Sequence, residues 1–176
     1  MMSVLKDKNI LLGVSGGIAA YKSITLLRLL KKSGAHVQVI FTKSAHDFVT
    51  SLTFSTLSER PVLTNFFEEE DDSKIWNNHV DLADWSDYYL IVPATSSTLS
   101  KMVSGNADNL LVATYLSCKS QVFFAPAMDL EMYKSISTKS NIEALEKKGD
   151  LLIKPGKGPL ASGLSREGRV EEPEKF

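Results

Sequence analysis

A buried strand that ends in proline, alanine and a run of small residues is the feature that most constrains this chain. The apolar run at 88–92 is bounded like a buried strand, and Pro93-Ala94-Thr95-Ser96-Ser97-Thr98 follows it. A second apolar run, at 121–125, ends in the same way with Pro126-Ala127. Packing alone explains these hydroxyl groups poorly, whereas open α/β sheets bind ligands at the carboxyl ends of their strands. The pattern predicts a site where a flat ring or a phosphate approaches the backbone.

Strand-like and helical stretches alternate along the rest of the chain. Short apolar runs at 9–14, 36–41 and 151–153 predict further strands. Helical spacing of apolar residues, or polar and apolar faces, predicts helices at 18–32, 44–57, 99–117 (interrupted at 104–106) and 139–148, with Gly34 closing the first. We place Lys22 on the polar face of that first helix, with Arg28, Lys31 and Lys32. The alternation predicts a three-layer, doubly wound, Rossmann-like or flavodoxin-like parallel sheet in one domain spanning 1–176.

Two stretches do not fit this alternation. Residues 63–80 show no clear period, so they predict a long loop with a short element, and its acidic run at 68–72 predicts a solvated loop. The tail from Lys154 holds four of the ten glycines, namely Gly156, Gly158, Gly163 and Gly168, and it predicts a mobile flap over about 154–170.

Composition excludes several classes of protein. The net charge is −1 with no basic block, which argues against nucleic acid as a partner. Cys118 is the only cysteine, so an intrachain disulfide is impossible, and three scattered histidines make a metal site improbable. No apolar run reaches membrane-spanning length, and no targeting segment precedes the first strand. We therefore expect a cytoplasmic protein that binds no membrane.

Four polar positions could carry chemistry, and each also has an ordinary structural explanation. The turn Ser15-Gly16-Gly17-Ile18 lies between a strand and a helix, so it could hold a phosphate or be a plain tight turn. Thr42-Lys43-Ser44 follows the second strand and has the same two interpretations. His79 is a lone histidine, which is more often structural than catalytic. Asp129 could simply be a helix N-cap.

Five collinear segments resemble the flavin-dependent cysteine decarboxylases, and among them most closely the phosphopantothenoylcysteine decarboxylases. They are residues 15–22, 79–82, 93–111, 126–133 and 160–163. In bacteria the similar enzymes carry a phosphopantothenate–cysteine ligase domain after the decarboxylase half. This sequence ends about where that ligase would begin, so we expect it to be a piece of a longer chain or to work beside a separate ligase.

The resemblance implies FMN as the cofactor, bound between the subunits of a homotrimer, with assembly of trimers into a dodecamer left open. It implies catalytic positions at His79, which is a base, and at Asp129 and Ser162. It also implies a substrate site that includes Asp129, Met132 and Ala161. It places the following residues around FMN: Gly16, Gly17, Ile18, Thr42, Ser44, Thr95, Ser96, Ser97, Thr98 and Ala127.

The resemblance also implies a reaction. The flavin oxidises the thiol of 4′-phosphopantothenoylcysteine to a thioaldehyde, which acts as an electron sink while carbon dioxide leaves. The resulting enethiolate is then reduced to 4′-phosphopantetheine. A histidine base in such a sequence typically contributes a factor of ~10²–10⁴.

Two positions depart from the family pattern. Asp129 stands where the family has an asparagine that would donate to the substrate carboxylate, so an ionised Asp129 would repel that group. It could act if it is protonated, if it accepts from the substrate amide or thiol, or if a cation such as Lys43 or Arg169 intervenes. Ser162 stands where the coenzyme A enzymes have a proton-donating cysteine. A serine hydroxyl is a far weaker acid.

Three alternatives follow from these departures. An oxidative peptidyl-cysteine decarboxylase releases the enethiol and needs no cysteine at 162. A non-catalytic flavoprotein regulatory subunit would keep the FMN motifs and lose the chemistry. A flavin prenyltransferase shares the fold, but the segments around His79 and 126–133 argue against it.

Overall fold

A five-stranded parallel sheet forms the centre of the molecule. The computed structural model describes residues 4–70, 73–159 and 165–175. The strands lie in the order β2-β1-β5-β6-β7, and every neighbouring pair is parallel. Their bounds are β1 Asn9–Val14, β2 His36–Phe41, β5 Tyr88–Ala94, β6 Gln121–Pro126 and β7 Leu151–Leu152. This topology confirms the predicted doubly wound α/β fold.

Helices cover both faces of this sheet. The helices are α1 Lys22–Lys32, α2 Ser51–Ser58, α3 His79–Trp85, α4 Ser96–Ser104, α5 Leu110–Ser117, α6 Leu130–Lys134 and α7 Ile136–Lys148. The first face packs against α1 and α2 and includes Leu27 and Phe54. The second face packs against α4, α5 and α7 and includes Leu99 and Leu111. Within β1, Leu12 points to the first face and Leu11 to the second, and both are fully buried. Because both faces are covered, the strands read as continuous apolar runs.

The stretch predicted as a long loop at 63–80 is instead structured. It contains an antiparallel hairpin of β3 Phe67–Glu70 and β4 Ser73–Trp76, and α3 begins at His79. The acidic run therefore starts inside a strand, while residues 71–72 lie outside the described part. Glu68 also has a structural role, because its carboxylate accepts hydrogen bonds from the amides of Thr64 and Asn65. Hydrogen bonds between neighbouring residues thus stabilise this hairpin, although its acidic composition is typical of a solvated loop.

The tail after β7 also contains regular structure. Strands β8 Gly156–Pro159 and β9 Ser165–Arg169 pair antiparallel, and a 3₁₀ turn follows at Pro173–Lys175. We call β8 and β9 together the C-terminal hairpin; they lie within the predicted flap.

The helix predicted at 44–57 is interrupted. A 3₁₀ turn at Lys43–Asp47 is followed by α2, whose N-cap Thr50 accepts from the amide of Thr53. The interruption predicted at 104–106 is confirmed, because α4 ends at Gly105 with a φ of 72° that favours glycine. Within the described ranges, no helix has the length and apolar character needed to cross a membrane.

Candidate active site

Ser15 joins the carboxyl ends of β1 and β5. Its hydroxyl donates to the carbonyl of Pro93 over 2.6 Å and accepts from the amide of Thr95 over 3.1 Å. The neighbouring strand end is joined in turn, because the amide of Ala127 donates to the carbonyl of Ala94 over 3.1 Å. The two strand-Pro-Ala ends therefore lie side by side at one edge of the sheet, as the sequence predicts.

A cavity of about 610 Å³ opens at this edge, and we call it the carboxyl-edge cavity. Its volume is within the range of small-molecule and cofactor sites, roughly 300–1,000 Å³. Six hydroxyl-bearing residues stand in its wall, namely Thr42, Ser44, Thr64, Thr95, Ser97 and Thr98. Five of these six residues were predicted as cofactor ligands; Thr64 was not. The hydroxyl groups can donate to a phosphate or to the polar edge of a ring.

Gly16 allows the turns after β1 and β2 to approach each other. A Cβ added at Gly16 would lie 2.4 Å from the hydroxyl of Ser44 and 2.6 Å from its carbonyl oxygen. At Gly17 the same addition would meet only the methyl group of Thr95, at 3.6 Å. The approach of the two turns therefore requires glycine at position 16 and not at position 17.

The N-terminus of α4 also faces this cavity. Thr95 is its N-cap, and the hydroxyl of Thr95 accepts from the amide of Thr98. The first amides of a helix have no partner within the helix, and the helix dipole places partial positive charge there. A nine-residue helix that begins in a hydroxyl-lined cavity can therefore hold an anion. This geometry supports an anion site beside Thr95, Ser97, Thr98 and the Thr42-Lys43-Ser44 turn, whereas the Gly16-Gly17 turn does not line the cavity.

The rim carries an ion pair that the sequence analysis missed. Lys101 donates to Asp108 over 2.7 Å, and Asn109 donates to the other oxygen of that carboxylate. The Lys101 hydrogen bond holds the pKa of Asp108 below its usual range. Lys101 lies one helical turn after Ser97, so the spacing along α4 could have indicated it.

His79 lies beside the carboxyl-edge cavity and does not line it. It is the first residue of α3, after the N-cap Asn78, whose side chain accepts from the amide of Val80. Its ring meets the edge of Phe66, with centroids 6.1 Å apart, and Phe66 lines the cavity. Among the described residues, its buried Nδ1 has no hydrogen-bond partner. A buried nitrogen left in this way is costly, which favours a ligand or a second subunit that satisfies it.

The predicted substrate residues lie on a separate, exposed surface. Asp129 is exposed and occupies the N-cap position of α6, but its side chain makes no capping hydrogen bond. The simple N-cap interpretation therefore does not explain an acid there. Met132 is 48% exposed. Ala161 and Ser162 lie outside the described residues.

The single chain thus brings only part of the predicted site together. The cavity wall holds Thr42, Ser44, Thr95, Ser97 and Thr98, with Gly16 and Gly17 packed close behind. The predicted residues that do not line the cavity are Ile18, Ser96, Ala127, His79, Asp129 and Met132. Ile18 is 61% exposed.

The comparison with known families indicates the class of cofactor that the chain binds. A sequence profile described as Flavoprotein matches residues 2–175. The chain belongs to this flavoprotein family. The hydroxyl groups of the cavity wall are donors from which the phosphate of a flavin could accept hydrogen bonds. Within the described residues no cluster of His, Cys, Asp or Glu has the arrangement of a metal site.

Two curated relatives are similar in sequence to this flavoprotein chain. It is 44% identical over 173 residues to the coenzyme A biosynthesis bifunctional protein CoaBC of Bacillus subtilis (strain 168), covering 98% of the chain and 42% of the relative. It is 51% identical over 128 residues to a cysteine/cysteine sulfinic acid decarboxylase of an unknown prokaryotic organism, covering 73% of the chain and 35% of the relative. The chain therefore spans less than half the length of these relatives.

Two solved structures share its fold over nearly all of its length. One is a cysteine-to-serine mutant of a PPC decarboxylase complexed with pantothenoylaminoethenethiol, with a TM-score of 0.84 and 29% identity over 97% of this chain and 94% of that one. The other is the FMN binding protein AtHal3, with a TM-score of 0.82 and 28% identity over 97% of this chain and 92% of that one.

Proposed function

We propose that this chain is an FMN-dependent carboxy-lyase that decarboxylates 4′-phosphopantothenoylcysteine to 4′-phosphopantetheine in coenzyme A biosynthesis. The observation that carries the proposal is the 44% identity to a bifunctional coenzyme A biosynthesis protein over 98% of the chain. The hydroxyl-lined carboxyl-edge cavity supports it, since it supplies the groups that a flavin phosphate needs. Residues 1–176 form one decarboxylase domain in this proposal, acting in the cytoplasm with a fused or separate ligase.

FMN, when bound, supplies the two-electron redox chemistry of the substrate thiol, and the protein supplies orientation and proton transfer. The hydroxyl groups of Thr42, Ser44 and Ser97 and the first amides of α4 hold the phosphate and fix the cofactor in the cavity. The wall of Thr95 and Thr98 lets the ring lie close to the backbone. Gly16 keeps the two turns together so that the hydroxyl groups converge.

Proton transfer falls to His79. In this proposal its imidazole takes the thiol proton, and its buried Nδ1 has no hydrogen-bond partner among the described residues. Phe66 packs on the ring and restricts its orientation. Asp129 and Met132 contact substrate from α6, and Ala161 and Ser162 contribute from the segment that follows β8. In this arrangement Asp129 accepts from the substrate amide or thiol.

A homotrimer would complete the site. Large apolar side chains are exposed next to each predicted group: Ile18 and Tyr21 beside the glycine turn, Phe67 and Trp76 near His79, and Met132 on α6. Apolar residues concentrated around separated site residues favour burial against another copy of the chain. Light scattering after gel filtration tests the trimer, and a monomeric FMN-loaded enzyme with full activity would contradict it.

The function is tested by an anaerobic assay of the FMN-loaded protein with 4′-phosphopantothenoylcysteine, with flavin absorbance and product masses recorded together. We expect carbon dioxide and 4′-phosphopantetheine. An oxidised enethiol with bleached flavin would mean that the oxidative half survives and that Ser162 does not support reduction. An unchanged flavin together with no product would overturn the proposal and leave another substrate or a non-catalytic flavoprotein subunit.

A second candidate substrate is free cysteine or cysteine sulfinic acid. The 51% identity over 128 residues to a protein named for that activity favours it. Parallel reactions with L-cysteine, L-cysteine sulfinate and a peptide that ends in cysteine separate this candidate, and the peptidyl-cysteine alternative, from the first. The substrate with the largest kcat/KM decides among them.

A further inference from the structure

A buried lysine connects the start of α1 to the C-terminal segment. Lys22 is 4% exposed, and its Nζ donates to the carbonyl of Val170 over 2.6 Å and to the carboxylate of Glu172 over 3.1 Å. The lysines of the other described ion pairs are all more exposed. The sequence analysis placed Lys22 on the exposed polar face of α1, and this expectation is wrong.

The local environment of Lys22 does not favour a charge. It is the first residue of α1, directly after the 3₁₀ turn Ile18–Tyr21, and the first turn of α1 contains no acidic residue that could pair with it. Burial adds the cost of removing an ammonium group from water. Among the described residues, the carbonyl of Val170 and the carboxylate of Glu172 are the acceptors that offset these costs. The C-terminal segment therefore explains the burial of Lys22 better than α1 does.

Lys22 lies at a junction between the two halves of the candidate site. On one side it follows the Gly16-Gly17 turn, and Ser23 next to it donates to the carbonyl of Val92 in β5. On the other side Val170 directly follows β9, is 1% exposed and packs in the core of the first face. Strand β9 contacts α6, which begins directly after Asp129. The lysine thus joins the cofactor-side turn to the base of the C-terminal hairpin.

We propose that Lys22 is a positioning residue that anchors the C-terminal hairpin to the glycine turn and so keeps β9 against α6. Its catalytic consequence rests on the proposed decarboxylase function, whereas the anchoring itself does not. Glu172 provides the charged partner, and the carbonyl of Val170 fixes the direction of the ammonium group. Loss of either partner frees the hairpin base without removing any group that contacts substrate.

Hydrogen–deuterium exchange of the full FMN-loaded protein tests the anchor. In Lys22→Met we expect amides of 156–159 and 165–170 to exchange about tenfold faster or more, since a hydrogen bond to a charged group is lost. Glu172→Ala, at a half-exposed side chain that can be removed without threatening folding, gives a smaller increase in the same amides. Lys31→Met is the matched control, because Lys31 on the same helix pairs with the exposed Glu59 and leaves the hairpin unchanged.

Kinetics give the second readout. We expect kcat for decarboxylation to fall about tenfold in Lys22→Met with the FMN dissociation constant unchanged, and Lys22→Arg to restore part of the hairpin protection. Unchanged exchange in the hairpin would overturn the proposal, as would a uniform increase over the whole chain, which would mean a purely structural lysine. If the wild-type protein decarboxylates no substrate, the exchange experiment still decides the anchor while the proposed function fails separately.

Discussion

Two cavities differ in size and in their position relative to the sheet. The carboxyl-edge cavity measures about 610 Å³ and has six hydroxyl-bearing residues in its wall. A larger space of about 990 Å³, which we call the apolar groove, lies between α1, the strands β5–β7 and the C-terminal segment, and its wall includes Leu26, Leu90, Phe123 and Ile153. Polar residues also border the groove, namely Ser33, Tyr88, Lys154, Glu171 and Glu174, so neither volume nor polarity alone separates the two spaces. The carboxyl-edge cavity is the candidate site because it combines hydroxyl groups at strand ends with the N-terminus of α4.

The largest expected effect is on catalysis at His79, beside the carboxyl-edge cavity, and it should leave FMN binding unchanged. His79→Gln removes the proposed base, so we expect kcat/KM for decarboxylation to fall by ~10²–10⁴. FMN affinity should stay unchanged, because His79 does not line the carboxyl-edge cavity. The anaerobic carbon dioxide assay measures the first quantity and flavin fluorescence the second. His36→Gln, at the exposed start of β2, is the control, and wild-type activity in His79→Gln would remove this histidine from the mechanism.

The second prediction concerns the apolar groove and leaves the chemistry unchanged. Leu27 is fully buried in the first-face core, so Leu27→Ala should lower the free energy of unfolding by ~2–5 kcal/mol. Leu90 borders the groove, where space already exists, and Leu90→Ala should cost less than Leu27→Ala. Urea denaturation of both variants measures the difference. Equal decreases in the free energy of unfolding would show that the groove is closed in solution. A weaker FMN affinity in Leu90→Ala would show that the groove and the carboxyl-edge cavity are coupled.

The third prediction tests the close approach of the Gly16 turn to the Ser44 turn at the carboxyl edge. Gly16→Ala places a Cβ 2.4 Å from the Ser44 hydroxyl, and relieving such overpacking costs roughly 1–3 kcal/mol. We expect FMN to bind at least about tenfold more weakly, because the Ser44 turn must move. Gly17→Ala is the matched control, since its nearest contact would be 3.6 Å away and its backbone is extended. Equal FMN dissociation constants for the two variants would show that the approach of the Gly16 turn to Ser44 is not needed for FMN binding.

The sequence was sufficient where signals are local. The strand at 9–14 is largely apolar and the strand at 36–41 partly so, because both faces of the sheet are covered, and Gly34, with a φ of 85°, ends the helix between them. The cavity wall at Thr42, Ser44, Thr95, Ser97 and Thr98 was predictable because each follows a strand end. Parallel strands bring such residues to one edge.

The sequence was insufficient where a feature depends on distant partners or lacks a buried face. Every residue of β4 is exposed, so the hairpin Phe67–Trp76 has no alternating apolar pattern to reveal it. The burial of Lys22 depends on Val170 and Glu172, which are far away in sequence. The contact between His79 and Phe66 likewise becomes visible only once the segment is folded.

The smallest expected effect concerns Asp150. It tests whether the pH dependence of the free energy of unfolding is independent of FMN affinity. Burial raises the pKa of Asp150, a residue just before β7, and the hydrogen bond from the Tyr115 hydroxyl and the charge of Lys148 offset this only in part. The folded state therefore binds a proton that the unfolded state has lost above its pKa of about 3.9. This contribution is present at low pH and is lost as pH rises through the folded pKa, with a slope of at most about 1.4 kcal/mol per pH unit.

Asp150→Asn removes that titration, so we expect the stability of the wild type relative to Asp150→Asn to decrease as pH rises above about 4. Urea denaturation over that range measures the difference, and FMN affinity should show no matching change, because Asp150 does not line the carboxyl-edge cavity. A pH-independent difference would mean that Asp150 titrates alike in the folded and unfolded chains. A parallel change in FMN affinity would instead mean that the ionisation of Asp150 affects FMN binding. The Tyr115–Asp150 pair and the carboxyl-edge cavity would then be energetically coupled.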